Sequence, residues 1–186
     1  MSFASPPSRA DVVALARQWL GTPYHHQASR LGAGVDCIGL VRGVWLSLYG
    51  FEPERLPGYA RDWAEATGHE TLIEAARRHL VEIEISAARP GDVVVFRYRP
   101  NLPAKHVGIL APALAPASTP SPMATKAEPP LPWTARLSDQ AAVRGPTLGR
   151  LTMLHAVEGA PVSEVALTPW WRRRIAAAFS FPGMID

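Results

Sequence analysis

The first part of the chain carries apolar residues at the spacing of an α-helix. Positions i, i+3, i+4 and i+7 are apolar, which predicts a helix with one apolar face, formed by Val12, Leu15, Ala16 and Trp19. Ser8 is a favourable N-cap residue for this helix. Gly21 and Pro23 are expected to end it.

A second helix is predicted to begin near Asp36, a good N-cap residue, and to end at Gly50. Its apolar face comprises Cys37, Leu40, Val41, Val44 and Leu48. Cys37 therefore falls in the first helical turn. Because unpaired N–H groups and the positive end of the helix dipole favour a thiolate there, we expect a lowered pKa for this cysteine.

The remaining pattern is helical over residues 62–80, with a break near Gly68, and then changes to strand-like. Strands are predicted at 81–85, as a half-buried alternating strand, and at 93–98, 106–110, 151–157, 162–167 and 175–181. Helices followed by consecutive strands favour an α+β fold, in which N-terminal helices pack on a mostly antiparallel sheet of five or six strands. The elements do not alternate, which argues against a doubly wound parallel sheet.

Residues 111–150 interrupt this order with eight prolines, nine alanines and little periodicity. A loop of this length inside a compact domain is uncommon. It is either a tolerated disordered insertion or an arm that docks on a partner. With 186 residues and 47% hydrophobic residues, we expect one globular domain, 1–186, interrupted by this Pro/Ala-rich insertion.

The net charge and the single cysteine say little about the partners or the cellular compartment of the protein. The net charge is +3, which fits either an anionic partner or an ordinary solvated surface. One cysteine permits no intrachain disulfide. The N-terminus does not resemble a signal peptide and no run is apolar enough to span a membrane, so we expect synthesis in the cytoplasm.

Six histidines are candidate bases for a cysteine nucleophile. His69 and His79 fall in the charged helical region, and His25 and His26 fall in a polar loop, all expected at the surface. His106 and His155 instead lie on apolar strands that can be neighbours. Together with Cys37 they supply a nucleophile, a base and a group that orients the base.

Other interpretations of these residues remain open. Cys37 alone is compatible with a buried, space-filling thiol. A zinc site from Cys37, His106 and His155 lacks the spacing of compact metal motifs. Trp170, Trp171 and the arginines 172–174 suggest either a glycan or phosphate site or, as we expect, a strand edge with core tryptophans and snorkelling arginines.

Four motifs occur in an order that resembles the NlpC-type cysteine peptidases of the bacterial cell wall. They are GTPYHHQASRLGAGVDCIGLVRGVW, RPGDVVVF, KHVGIL and MLHA. The stretch EPERLPGYARDW and the closing WWRRRIAAAFSFP are similar to the phage-tail branch of that family, particularly the tail peptidases of gene transfer agents. The resemblance implies a papain-like fold in which a cysteine-bearing helix packs on a sheet that carries both histidines.

The resemblance also implies a role for each site residue. Cys37 matches the nucleophile, His106 the general base and His155 the residue that orients it. Tyr24 matches a tyrosine beside the thiol that can help to bind the oxyanion, and Asp36 an aspartate that holds the free amine of the substrate. Ile38 departs from the serine of many relatives. No metal or organic cofactor is implied.

The function that follows is hydrolysis of an amide bond in the stem peptide of peptidoglycan. The resemblance further implies a protein carried in the tail of a phage-like or gene transfer agent particle, which acts in the periplasm of the recipient cell. Its partners would be the stem peptide and tail hub or baseplate proteins, the latter through 111–150, with no nucleic acid. The alternatives are a structural tail-tip component with a weak or silent site, and an acyltransferase that uses the same thiol.

Overall fold

The structure, a computed structural model, describes residues 6–54, 58–59, 68–113 and 151–185. Within them, the helices are α1 (Arg9–Arg17), α2 (Cys37–Tyr49), α3 (Thr71–His79) and the short α4 (Pro169–Arg172). The strands are β1 (Ser29–Arg30), β2 (Gly34–Val35), β3 (Val81–Ile83), β4 (Val93–Phe96), β5 (His106–Pro112), β6 (Leu151–His155), β7 (Ser163–Ala166) and β8 (Ile175–Ser180).

Six strands form one sheet in the order β3-β8-β4-β5-β6-β7, and every neighbouring pair is antiparallel. The predicted α+β class is thereby confirmed. The sheet brings β5 beside β6, although residues 113–150 separate them in the sequence. Strands β1 and β2 form a small separate hairpin before α2.

Helices α1 and α2 pack together on one face of the sheet because each has a continuous apolar side. Ser8 and Asp11 form a capping box at the start of α1, as the sequence indicated for Ser8. Trp19, just beyond α1, packs on Gly43 of α2 so closely that a Cβ at Gly43 would lie 2.0 Å from its ring. This contact explains why a glycine occupies the middle of α2.

The sheet is buried on both faces. One face carries the main core together with α1 and α2, including Val95, Val107, Ile109 and Phe179. The opposite face carries a smaller cluster that includes Phe96, Leu110 and Met153, with Trp171 packed against it. Burial on both faces accounts for the continuous apolar run of β4, because neither of its faces meets water.

Several predicted elements differ in the structure. Strand β3 ends at Ile83, a 3-10 turn spans Ile85–Ala87, and Val81 is 53% exposed because β3 is an edge strand. Residues 169–172 form α4 and not a strand edge, because Pro169 favours the first turn of a helix. Trp170 is exposed and does not belong to the core. The structure has a helix, α3, at Thr71–His79 within the range 62–80 that was predicted to be helical. Residues 62–67 of that range lie outside the described part of the chain.

The predicted insertion begins later than expected, because Ala111 and Pro112 belong to β5. Residues 114–150 lie outside the described part of the chain, so the insertion and the single domain stay predictions. Across the described residues, no helix is long and apolar enough to cross a membrane.

Candidate active site

The start of α2 places Cys37 through a tightly packed N-cap. Asp36 is the N-cap residue, and its Oδ1 accepts a hydrogen bond of 2.8 Å from the Gly39 N–H. Cys37 is the first helical residue, as predicted. A Cβ on Gly39 would lie 1.9 Å from the carbonyl oxygen of Ala28, so a side chain there would push the loop away from the helix.

The second carboxylate oxygen of Asp36 ties two loops to the same helix start. Its Oδ2 accepts hydrogen bonds from the Gln27 N–H at 2.7 Å and the Tyr59 hydroxyl at 2.6 Å. His26 Nδ1 lies 3.7 Å from the same oxygen, and His26 Nε2 lies 2.8 Å from the Tyr59 carbonyl oxygen. Asp36 is only 2% exposed and therefore organises the loops around Cys37.

His106 and His155 form a buried pair on neighbouring strands. His106 Nε2 lies 3.0 Å from His155 Nδ1, and neither residue is more than 5% exposed. One of these nitrogens must donate and the other accept. Because Nε2 of His106 is engaged with His155, its Nδ1 is the nitrogen left for another partner.

Aromatic rings surround His106 on the face of the sheet opposite α1. Trp171 lies with its ring centroid 5.7 Å from His106 and 5.5 Å from His155. Phe96 lies 5.8 Å from His106, and Tyr98 stacks on it at 6.1 Å. These rings restrict the orientation of the imidazole and keep water away from it.

Four of the five predicted site residues line one cleft of about 200 Å³: Tyr24, Asp36, Cys37 and His106. His155 does not line the cleft and lies behind His106 as its hydrogen-bond partner. Among the described residues, no group of three or more histidine, cysteine, aspartate or glutamate side chains is arranged to hold a metal ion.

The pKa of the Cys37 thiol is raised to about 12, contrary to our expectation of a lowered value. Burial of the sulfur is the main cause, and the adjacent Asp36 carboxylate adds to it. Hydrogen bonds from the backbone N–H groups of Val107, Ile38 and Cys37 itself oppose the shift. Burial beside a carboxylate thus outweighs the helix N-terminus, and the resting site holds a neutral thiol.

The pKa of His106 is lowered to about 3, first by burial and then by the neighbouring His155. Burial also lowers the pKa of His155. Both imidazoles are therefore neutral near pH 7. A neutral imidazole has one nitrogen free to accept a proton, which is the form that a general base requires.

Four residues of the cleft and its wall were absent from the predicted site: His26, Tyr59, Tyr98 and Trp171. His26 was expected at the surface, but it is partly buried and lines the cleft. Tyr59 comes from a stretch with no periodic pattern, and Tyr98 was predicted as the end of a strand over 93–98 but follows β4, which ends at Phe96. Trp170 and Trp171 were noticed in the sequence, yet the contact of Trp171 with both histidines depends on how the last strand joins the sheet.

Several solved structures match this chain at low sequence identity. The NlpC/p60 domain of the peptidoglycan hydrolase SagA is 22% identical, with a TM-score of 0.49, over 94% of this chain and 99% of that domain. An NLP/P60 family protein from Staphylococcus aureus, described as similar to lipoprotein, is 16% identical (TM-score 0.46) over 100% of this chain. NlpC2 from Trichomonas vaginalis is 14% identical (TM-score 0.49) over 96%. This chain spans 46% and 49% of the last two.

No curated protein matches the sequence. The sequence profile of the NlpC/P60 family matches residues 21–179 of this chain. The matched range runs from before β1 to the last but one residue of β8. That range holds the helix start with Cys37 and the strands with both histidines, in the order that the motifs indicated. The chain therefore belongs to the NlpC/P60 family, whose members are cysteine peptidases that act on peptidoglycan.

Proposed function

We propose that this cysteine peptidase cleaves an amide bond in the stem peptide of peptidoglycan, with Cys37 as nucleophile and His106 as general base. The observation that carries the proposal is the single cleft that both residues line, with His155 hydrogen-bonded behind His106. The start of α2 contributes Asp36, Cys37 and Ile38 to the lining of this cleft.

The reaction begins with both groups neutral. His106 Nδ1 accepts the thiol proton as the Cys37 sulfur attacks the carbonyl carbon of the scissile amide. The negative charge that develops on the carbonyl oxygen is met by the Cys37 backbone N–H, with the Tyr24 hydroxyl as second donor. The protonated His106 then gives its proton to the leaving amine, and an acyl-enzyme remains on the sulfur.

Water completes the hydrolysis. His106, neutral again, accepts a proton from water as the water oxygen attacks the thioester carbonyl, and the proton returns to the Cys37 sulfur as the product acid leaves. Through its hydrogen bond, His155 holds the His106 ring in one orientation and tautomer during both steps. It is a positioning residue because it does not line the cleft.

In this proposal, Asp36 both holds the loops around Cys37 in place and binds the free amine of the substrate. A carboxylate offers about four acceptor positions, and three are filled by Gly39, Gln27 and Tyr59. One position is left for the free amine of the stem peptide, the role that the family resemblance implies. Ile38, where many relatives carry serine, makes the neighbouring wall apolar, so substrate recognition there relies on contact and not on a hydroxyl.

The test is incubation of purified protein with peptidoglycan, followed by mass spectrometry of the released peptides. Wild-type protein should release fragments with new amino termini, and Cys37→Ala should release none. Release of the same fragments by both proteins would contradict the assignment of Cys37. Addition of a free amine acceptor separates hydrolysis from acyl transfer, because transfer yields the amide of that acceptor.

The setting that we propose is the tail of a phage-like or gene transfer agent particle, where the enzyme opens the recipient wall. The motifs around Cys37 and the closing tryptophan–arginine stretch support this setting by resemblance. Deletion of residues 113–147 should abolish incorporation into particles and leave hydrolysis intact. Normal incorporation of the deleted protein would contradict docking through this segment.

A second candidate is a structural tail-tip or baseplate component with a silent site. The raised pKa of Cys37 favours it, because a neutral thiol is a poor nucleophile until a base takes its proton. In that case Cys37→Ala particles would penetrate the wall as well as wild-type particles, and purified protein would release no fragments.

A further inference from the structure

The arginines of this protein fall into two groups. Several pair with a carboxylate on the surface: Arg17 with Glu164, Arg42 with Glu52, Arg77 with Glu82, and Arg78 with Glu54. Five others pair with no carboxylate among the described residues: Arg30, Arg99, Arg172, Arg173 and Arg174. Apart from Arg30 in β1, the second group lies on two short segments, the loop after β4 and the stretch from α4 to β8.

These two segments meet around Tyr98. One groove, of about 390 Å³, is lined by Tyr98, Arg97, Arg173 and Arg174. A second, of about 370 Å³, is lined by Tyr98, Arg99 and Lys105. Tyr98 and Lys105 also line the catalytic cleft. Both grooves therefore adjoin the cleft, with Tyr98 as the wall that all three share.

Some arginines of this region have contacts within the chain, whereas Arg99 and Arg173 have none with a carboxylate among the described residues. Arg174 stacks on Trp170, with the guanidinium carbon 3.8 Å from the ring centroid, and donates to the Trp170 carbonyl oxygen. Two acidic residues lie in this region: Glu70 pairs with Arg97, and Glu158 lines the adjoining cleft together with Tyr98 and Lys105. Arg99 and Arg173 are exposed, and neither guanidinium has a partner in the described part of the chain.

Exposed guanidinium groups that have no carboxylate partner are well suited to bind an anion. The planar guanidinium matches the two oxygens of a carboxylate, and such charge-assisted hydrogen bonds are stronger than neutral ones. A molecule that occupies the cleft and continues past Tyr98 would bring its next groups into one of these grooves, beside Arg99 or beside Arg173. The stem peptide proposed as substrate carries free carboxylates.

We propose that the grooves beside Tyr98 form an extended substrate subsite that binds carboxylates of the wall peptide, with Arg99 as the ligand in one groove and Arg173 as the ligand in the other. The inference rests on the proposed function for the identity of the ligand. The tryptophan–arginine stretch, residues 170–174, then takes part in substrate selection. The enzyme prefers peptides with free carboxylates over the same peptides with carboxamides.

The experiment measures binding separately from cleavage. In a Cys37→Ala background, the dissociation constant is determined for two synthetic stem peptides that differ only in carrying carboxylates or carboxamides. We expect the carboxylate peptide to bind roughly tenfold more tightly, the scale of a hydrogen bond to a charged group, and the difference to shrink in high salt. The Arg99→Gln/Arg173→Gln double variant should lose this preference.

The matched control is Arg30→Gln, which removes the same charge from another exposed arginine that lines none of these grooves. It should keep the full preference. Equal binding of the two peptides, or an equal loss in the control, would overturn the subsite. Competition by a phosphate polymer but not by the carboxylate peptide would overturn it too and assign the surface to a phosphate ligand. Absence of cleavage by wild-type protein would instead overturn the proposed function and leave these binding results standing.

Discussion

His106 Nε2 lies 3.0 Å from His155 Nδ1, at the point where β5 and β6 run side by side. If His106 Nδ1 accepts the thiol proton, its Nε2 carries a hydrogen and His155 Nδ1 must accept it. This arrangement sets the tautomer of both rings. In this arrangement, what His155 contributes to the proposed reaction is the acceptor atom Nδ1, and the rest of its ring is not required.

Replacement of His155 tests this requirement. The Oδ1 atom of asparagine stands close to the place of histidine Nδ1 and accepts a hydrogen bond, whereas alanine offers no acceptor. We expect His155→Ala to lower kcat/KM by roughly a hundredfold, the lower range for loss of general-base function, and His155→Asn to retain a larger share. Initial rates on a synthetic stem peptide measure both. Equal losses in the two variants would show that the ring's bulk matters and the acceptor does not.

The thiol should be unreactive at neutral pH in the absence of substrate. Because the pKa of Cys37 is raised to about 12, its thiolate fraction should grow roughly tenfold for each pH unit between pH 7 and 10. The rate of alkylation by iodoacetamide, followed by intact mass, should rise in parallel. The same chain in denaturant is the control, and its rate should level off above about pH 9. A plateau near neutral pH in the folded protein would indicate a thiolate–imidazolium pair.

Acidification should destabilise the protein through His106. Its pKa is about 3 when folded and near 6.5 when unfolded, so between these values the unfolded chain binds more protons. The free energy of unfolding therefore falls as the pH drops below about 6.5. Between pH 6.5 and 4.5 we expect His106 to account for a loss of about 2 kcal/mol.

Urea unfolding at the two pH values measures this loss. The His106→Gln variant cannot take up the proton, so its stability should change less over the same interval. His155 still titrates in that variant, since its pKa is also lowered, and some pH dependence should remain. Parallel curves for wild type and variant would show that the imidazole of His106 is not held neutral by burial.

Gly39 should be the least replaceable residue of the motif after Cys37. In Gly39→Ala the new methyl group would meet the Ala28 carbonyl oxygen at 1.9 Å, and both partners are backbone or rigidly attached to it. We expect a loss of about 1–3 kcal/mol in the free energy of unfolding, as for other overpacked sites. We also expect a loss of peptidase activity larger than the folded fraction explains, because the Asp36 cap moves.

Gly58→Ala is the control for that substitution. A Cβ at Gly58 would meet Gln27 Oε1 at 3.7 Å, an ordinary contact, and its backbone conformation is accessible to other residues. Stability from chemical denaturation and specific activity should both stay near the wild-type values. A Gly39→Ala protein that is as stable and active as Gly58→Ala would show that the loop at Ala28 yields easily.

Much of the fold followed from local patterns in the sequence. The spacing of Val12 and Ala16 indicated α1, the position of Asp36 indicated the start of α2, and the apolar run over 93–98 indicated the strand that is β4. Each depends on contacts within a few residues, which sequence periodicity records directly. The start of strand β3 was predicted correctly, but its exposure was not. The exposure of a strand depends on which strands lie beside it, and β3 lies at the edge of the sheet.

The sequence by itself determined the ingredients of the site: one thiol at a helix start, two histidines on apolar strands, and their order along the chain. Only the tertiary structure decided that His155 stands behind His106, that Tyr59 closes on Asp36, and that Trp171 packs against both imidazoles. It also reversed the direction in which the pKa of Cys37 shifts. These features arise from burial and from contacts between distant segments, and such contacts leave no periodic trace in the chain.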